Sequence, residues 1–242
     1  MKQLLLNADV GEEMGFDTQI MPLISWCNIA CGSHAGNEKV IRDTISLASE
    51  YSVKIGAHPS YPDRKNFGRA TMIIAYEDLV TSLKIQIEVV KFQAEKLGNN
   101  LHHIKPHGAL YNDAIKDEKV ASAIIDATIS VDKSLYLVTT KNSKLACAAK
   151  DKLKVKYEVF ADRRYNEDLS LVSRSESDAV ITDPQEVFDH VYQMFSKGYV
   201  TTKKGIEKEI FFDTICVHGD NPKSVSILRY LHQKISELKL NF

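Results

Sequence analysis

The sequence predicts an α/β protein, a TIM-like (β/α) barrel. Three observations carry that prediction. A short apolar run, a polar turn and a segment of helical period follow one another about seven times along the chain. Seven or eight such units in one domain, residues 1–242, suit a closed parallel barrel. The ionisable residues collect just after the apolar runs, where such a barrel places its site. A doubly wound open sheet is the competing arrangement and would use the same strand ends.

Taken in order, Leu4 to Asp9 reads as the first strand and runs into a glycine turn carrying Glu12. A short helix is expected at Ile20 to Ser25 and a second strand at Cys27 to Cys31. Asn37 can cap a helix whose apolar face is Val40, Ile41, Thr44, Ile45 and Ala48. Val53 to Ala57 is the third strand, and the long loop after it carries Pro59, Pro62 and Arg69, a candidate cover for a site. From Tyr76 to Leu97, residues Leu79, Leu83, Ile87, Val90, Ala94 and Leu97 step by three and four, which makes a core-facing stripe that Gly98 ends. The fourth strand begins at Leu101 and stops at Pro106, which lacks a ladder donor. Helices are expected at Asp117 to Ile129 and Asn142 to Leu153, with strands at Leu135 to Thr139 and Tyr157 to Phe160. The polar stretch 166–183 offers short strands at Leu171 to Ser173 or Ala179 to Ile181. Pro184 opens a helix to Lys197, Lys203 to Lys208 reads as an exposed connection, Asp213 to His218 is the last strand, and Pro222 opens the final helix.

Composition narrows the partners. The 31 Lys and Arg nearly balance the 32 Asp and Glu, which argues against nucleic acid or an anionic membrane. No apolar run approaches a membrane span, and the N-terminal one meets Asp9 too soon for a signal peptide. Cys27, Cys31, Cys147 and Cys216 are scattered in apolar runs; buried reduced thiols and a cytoplasmic location are the expectation.

The strand ends carry Asp9 and Glu12, then His34, His58, Lys105 with His107, Asp162, and finally His218 with Asp220. A parallel barrel brings all of these to one mouth. His102 and His103 read as strand packing residues, and His190 and His232 as surface residues on helices. Three chemistries fit the set. Asp9, His34 and His58 are a mixed donor set suited to a catalytic divalent metal. Without metal, His107 or Asp162 would move protons while Lys105 or Arg163 stabilises an oxyanion. Lys105 could instead form a Schiff base. There is no Gly-x-x-x-x-Gly-Lys phosphate loop, no Gly-x-Gly-x-x-Gly and no Gly-x-Ser-x-Gly.

Seven stretches together resemble the LamB/YcsF family. They are Asn7 to Glu12, Asn28 to Gly36, Ile55 to Asp63, Phe67 to Arg69, Lys105 to Asn112, Glu158 to Tyr165 and Val217 to Asp220. The resemblance spans nearly the whole chain. It implies a seven-stranded barrel like those of glycoside hydrolases and polysaccharide deacetylases. It also implies ATP-dependent opening of 5-oxo-L-proline to L-glutamate, the 5-oxoprolinase reaction, performed together with two further subunits, B and C. A lactam is a resonance-stabilised amide, so phosphorylating its oxygen would create the leaving group that ATP is needed for. On this reading His107, Lys105 and Asp162 carry the chemistry. Asn7, Glu12, Arg69, Arg163, His218 and Asp220 hold substrate or ATP, with Lys105, Arg69 and Arg163 as cations for the phosphates. Leu5, Ser33, Asn37-Glu38 and Ser60 depart from the family pattern. The other readings are a metal-dependent amidohydrolase or carbohydrate deacetylase acting alone, and a non-catalytic scaffold subunit that only binds subunits B and C.

Overall fold

The structure, a computed structural model, describes residues 4–238. Its strands in chain order are β1 (Leu5–Val10), β2 (Trp26–Ala30), β3 (Lys54–His58), β4 (Leu101–Ile104), β5 (Tyr136–Thr139), β6 (Lys154–Phe160), β7 (Tyr199–Thr201), β8 (Glu207–Glu209) and β9 (Thr214–Val217). Seven of them, β1 to β6 and then β9, are parallel and close into a barrel in that order. β9 pairs with β6 on one side and β1 on the other, which rules out the open doubly wound sheet. Helices α1 (Asp17–Ile20), α2 (Glu38–Glu50), α3 (Tyr76–Lys96), α4 (Gly108–Lys116), α5 (Glu118–Asp132), α6 (Lys144–Ala149), α7 (Pro184–Tyr192) and α8 (Ser224–Glu237) lie in the connections and after β9. Strand alternation explains the layering. Along β1, Leu6, Ala8 and Val10 join the hydrophobic core, while Asn7 and Asp9 take part in hydrogen bonds across the barrel interior.

The helices form for the expected local reasons. Asn37 Oδ1 accepts from the Val40 amide at 3.1 Å, and Ile41, Thr44, Ile45 and Ala48 are buried on α2. The α3 stripe is buried from Leu79 to Ala94, but Leu97 lies past the last turn and is exposed. Gln86 on the same helix is buried too. Its Oε1 accepts from the Ser60 amide and its Nε2 donates to the Ser60 carbonyl, both at 2.9 Å. This double contact pins the loop that leaves β3 toward the site.

Several expectations are corrected. The early helix is α1 followed by a 3₁₀ turn at Met21–Leu23, where Pro22 supplies the tight φ. α4 starts right after Pro106 and His107, a helix that the proline and glycine conceal in the sequence. The stretch 166–183 contains only single bridges, Tyr165 to Leu171 and Arg163 to Val180. Of the charged segment expected as an exposed connection, Lys203 to Ile206 is indeed the exposed turn between β7 and β8, but Glu207 and Lys208 enter β8, where cross-strand bonds outweigh poor strand propensity. Cys147 is exposed, whereas Cys27, Cys31 and Cys216 are buried, and all four are free thiols. His190 is not a surface residue: its ring stacks on Tyr165 and its Nε2 is buried. His232 is half-buried, with Nε2–H donating to the Leu23 carbonyl at 2.7 Å. No described helix is long and apolar enough to cross a membrane.

Candidate functional site at the barrel mouth

The floor of the site is a polar layer inside the barrel. Asn28 Nδ2 donates to Asn7 Oδ1 at 2.9 Å and to Asp9 Oδ1 at 2.8 Å, and Asn7 Nδ2 donates to Thr214 Oγ1 at 3.1 Å. His103 meets Asn28 Oδ1 through Nε2 at 2.8 Å. Register makes this possible: Asp9 lies beside Asn28, Asn28 beside Gly56, and Gly56 beside His103. Gly56 is required there, because a Cβ would stand 2.2 Å from His103 Nε2.

Lys105 crosses this layer. Its ammonium donates to Asp9 Oδ1 at 2.9 Å and Cys216 Sγ at 3.0 Å, and pairs with Glu158 Oε2 at 3.3 Å. Burial opposes the charges, but the pairing prevails. Asp9 is held well below the usual carboxylate range by His58 and Lys105, and Lys105 well above the usual ammonium range by Asp9, Cys216 and Glu158. A Schiff base needs a neutral amine, so this lysine does not suit one. At 2% exposure it is also committed below the mouth rather than presented to a phosphate.

Above the floor, five side chains form a continuous series of close contacts. Asp9 Oδ2 is 3.4 Å from His58 Nε2, His58 Nε2 is 3.0 Å from His107 Nδ1, and His107 Nδ1 is 3.3 Å from Glu12 Oε1. The same Glu12 oxygen is 3.3 Å from His34 Nε2. The His34 and His107 rings stack with centroids 3.8 Å apart. Burial, then the nearby Asp9 charge, pushes the Glu12 carboxyl up to about 8. Burial, then His58, pushes His34 down to about 3 and His107 down to about 2, so both rings are neutral. Glu12, His34 and His107 could hold a metal ion, their ligand atoms all lying within 4.8 Å of one another. Among the described residues this, and not Asp9 with His34 and His58, is the set that converges so closely; Asp9 is drawn to Lys105 and Asn28 instead.

The long loop after β3 covers this group, as its length and residues predict. His107 Nε2–H donates to the Phe67 carbonyl at 2.9 Å, and the Phe67 ring meets His34 and His107 edge-on. Gly68, at φ +65°, passes where a Cβ would lie 2.9 Å from the His107 ring.

A second cluster forms the other side of the mouth. His218 Nδ1–H donates to Asp162 Oδ1 at 2.8 Å, and Asn221 Nδ2 donates to Asp162 Oδ2 at 3.0 Å. Burial pushes the Asp162 carboxyl up, but His218 and Asn221 outweigh it and hold it below its ordinary value. The His218 ring stacks on Phe160. Asp220 pairs with Arg69 and with Arg174, the latter at 3.1 Å. Arg163 is not presented to a ligand: it donates to the Val172 carbonyl at 2.6 Å and the Ala179 carbonyl at 3.3 Å, bracing the loop. Sequence reasoning alone does not bring Asn28, His103, Glu158, Cys216, Arg174 and Asn221 into the site. The available signal is a polar residue inside an apolar strand, as Asn28 is in Cys27-Asn28-Ile29 and Glu158 is in Tyr157-Glu158-Val159.

Gly219 joins the two clusters. A Cβ there would fall 2.1 Å from the Asp9 carbonyl oxygen, which is backbone and cannot swing aside. Gly219→Ala is therefore expected to lower unfolding free energy by about 1–3 kcal/mol. Urea denaturation would check this, and an unchanged midpoint would refute the close approach.

A closed parallel barrel with buried acids, histidines and a lysine at the carboxyl ends of its strands is the architecture of barrel enzymes. The chain belongs to the LamB/YcsF family, whose model matches residues 4–242. It is 43% identical over 238 residues to a 5-oxoprolinase subunit of Pyrococcus horikoshii, covering 96% of this chain and 93% of that protein. It is also similar to the crystal structure of a lactam utilization protein from Thermus thermophilus, with a TM-score of 0.93, 33% identity, and 99% and 98% of the two chains covered. A family 4 carbohydrate esterase from Streptomyces lividans shares the fold alone, with a TM-score of 0.51 and 8% identity over 98% and 89% of the chains.

Proposed function

We propose that this chain is the lactam-binding component of an ATP-dependent 5-oxoprolinase, opening 5-oxo-L-proline to L-glutamate with subunits B and C. The observation that carries the reading is its near full-length likeness to a chain named as a 5-oxoprolinase subunit. The mouth supports it chemically. Arg69, 41% exposed at the side chain, is the cation placed to meet a carboxylate or phosphate, by exchanging its partner Asp220. Asn7, buried in the floor, holds Asn28 and Thr214 in place instead of meeting a ligand directly. His218 is the residue assigned to proton transfer, with Asp162 fixing its tautomer so that Nε2 is the basic nitrogen of the neutral ring. That role moves from His107, whose Nε2–H is tied to Phe67 and whose Nδ1 faces His58 and Glu12. Lys105 takes the role of positioning Asp9. ATP is assigned to the assembled subunits, since this sequence has no familiar phosphate loop.

The test is glutamate release from 5-oxo-L-proline by this chain with and without candidate B and C subunits, in the presence and absence of ATP. The expected result is turnover only with ATP and partners together. Turnover by the isolated chain without ATP would replace this reading with that of a stand-alone amidohydrolase or deacetylase, which the Glu12–His34–His107 group favours.

A further inference from the structure

The series of contacts above the floor has a proton-count problem. The Lys105 carbonyl can only accept, so His58 Nδ1, 2.7 Å away, carries the hydrogen. The Phe67 carbonyl likewise requires the hydrogen of His107 to be on Nε2. In neutral rings this leaves lone pairs on His58 Nε2 and His107 Nδ1, which face each other at 3.0 Å. Asp9 Oδ2 flanks the pair at 3.4 Å as a further acceptor, and Glu12 Oε1 lies 3.3 Å from both His107 Nδ1 and His34 Nε2, so a single carboxyl proton could serve only one of these two rings. His34 adds a buried ring whose Nδ1 has no partner. Acceptors gathered at this spacing around a buried point call for a positive centre.

We propose that Glu12, His34 and His107 bind a divalent transition-metal ion of the zinc class, with His58 as an adjoining donor. This goes beyond the lactam reading and does not depend on it. The spacing suits the ion: tetrahedral coordination at 2.0–2.2 Å separates donors by about 3.4 Å, and here the successive contacts are 3.0, 3.3 and 3.3 Å. Neutral imidazoles with a carboxylate favour zinc, cobalt or nickel over magnesium and calcium, which prefer oxygen. The His107 donor is Nδ1, because Nε2–H is held by Phe67. That bond lies outside the coordination sphere and fixes the ring.

One ring must move on binding. His34 and His107 lie face to face with 3° between their planes, and a metal lies near the plane of each imidazole it joins. His34 is the ring less firmly held, since its Nδ1 has no partner and its one hydrogen-bond contact is to Glu12, itself a proposed ligand, whereas His107 is anchored to the Phe67 carbonyl. The tight fit of Gly68 against the His107 ring and the His34 Cβ, 2.9 and 3.0 Å for an added methyl, leaves the rotation to the His34 imidazole rather than the backbone.

The experiment uses the purified full chain, stripped with chelator and titrated with Zn²⁺ by calorimetry, and with Co²⁺ for its absorption spectrum. The expected result is saturation at about one ion per chain, with Kd below about 1 μM and cobalt bands of tetrahedral intensity. Glu12→Gln and His107→Ala are each expected to weaken binding at least about 100-fold, with His232→Ala unchanged. Circular dichroism confirms which variants fold; should His107→Ala fail to fold, the nearly isosteric Glu12→Gln decides. No saturable Zn²⁺ binding by the stripped wild-type chain overturns the proposal, and so does equal affinity in the folded variants. Lactam opening is not measured, so a failure here leaves that reading untouched.

Discussion

Lys105→Met is expected to lower the free energy of unfolding by about 3–5 kcal/mol at neutral pH. The side chain is nearly the same length, so little volume is lost. What is lost is the ammonium between Asp9 and Glu158, two carboxylates buried inside the barrel. Removing the ammonium leaves Asp9 with only His58 and Asn28 as partners and Glu158 without its cation, in a poor solvent for charge. The pH dependence has a definite sign. In the native protein Asp9 lies well below its ordinary value of 3.8, so its contribution is present above that value and fades as pH falls. In the variant Asp9 has lost the lysine and is relieved by taking up a proton. The gap between wild type and variant should therefore narrow on acidification. Urea denaturation at a series of pH values measures it, and a constant gap would show that the ion pair is not its source.

His218→Ala is expected to reduce ATP-dependent glutamate formation by about 10²–10⁴-fold, the range for loss of a positioned acid or base. Stability should fall as well, because the loss of His218 leaves the buried Asp162 carboxylate with Asn221 as its remaining side-chain donor, so turnover is compared on protein that circular dichroism shows to be folded. Asp162→Asn should produce a smaller fall, since the amide oxygen can still accept from His218 Nδ1–H while the carboxylate charge that stabilises the protonated ring is lost. Turnover near normal for His218→Ala, measured with the partner subunits, would remove the proton-transfer assignment.

Much of this architecture is legible in the sequence because the strand, turn and helix unit is a local pattern. The stripe on α3, the Asn37 cap and the acid or histidine at the end of six of the seven barrel strands follow from periods and turn chemistry that neighbouring residues set. The misreadings share a different cause. α4 is hidden by Pro106 and Gly108, residues that usually mark a turn, and β8 by its Glu-Lys-Glu composition, where pairing to β7 decides the conformation. The site divides the same way. Its residue types at strand ends are visible one by one, but their pairing depends on barrel register. Nothing local indicates that Glu12 meets His107 rather than Asp9 meeting His34, or that Lys105 points down to Glu158 rather than out to a phosphate. Asn28 and His103 look like interruptions in apolar strands because only the closed barrel gives them a shared interior.

The closing strand also sets an order of events for a chain made from its N-terminus. β1 is synthesised first, yet one of its edges pairs with β9, whose first residue is Thr214. Until then that edge of β1 and the edge of β6 have no neighbour, and Asn7 lacks Thr214. Such sequence-distant pairing is slow to form, and unpaired edges attract other chains. β9 is thus what converts an open sheet with two exposed edges into a sealed ring. During synthesis, the interval between β6 and β9 is when both edges of the incomplete barrel are exposed to pairing with other chains.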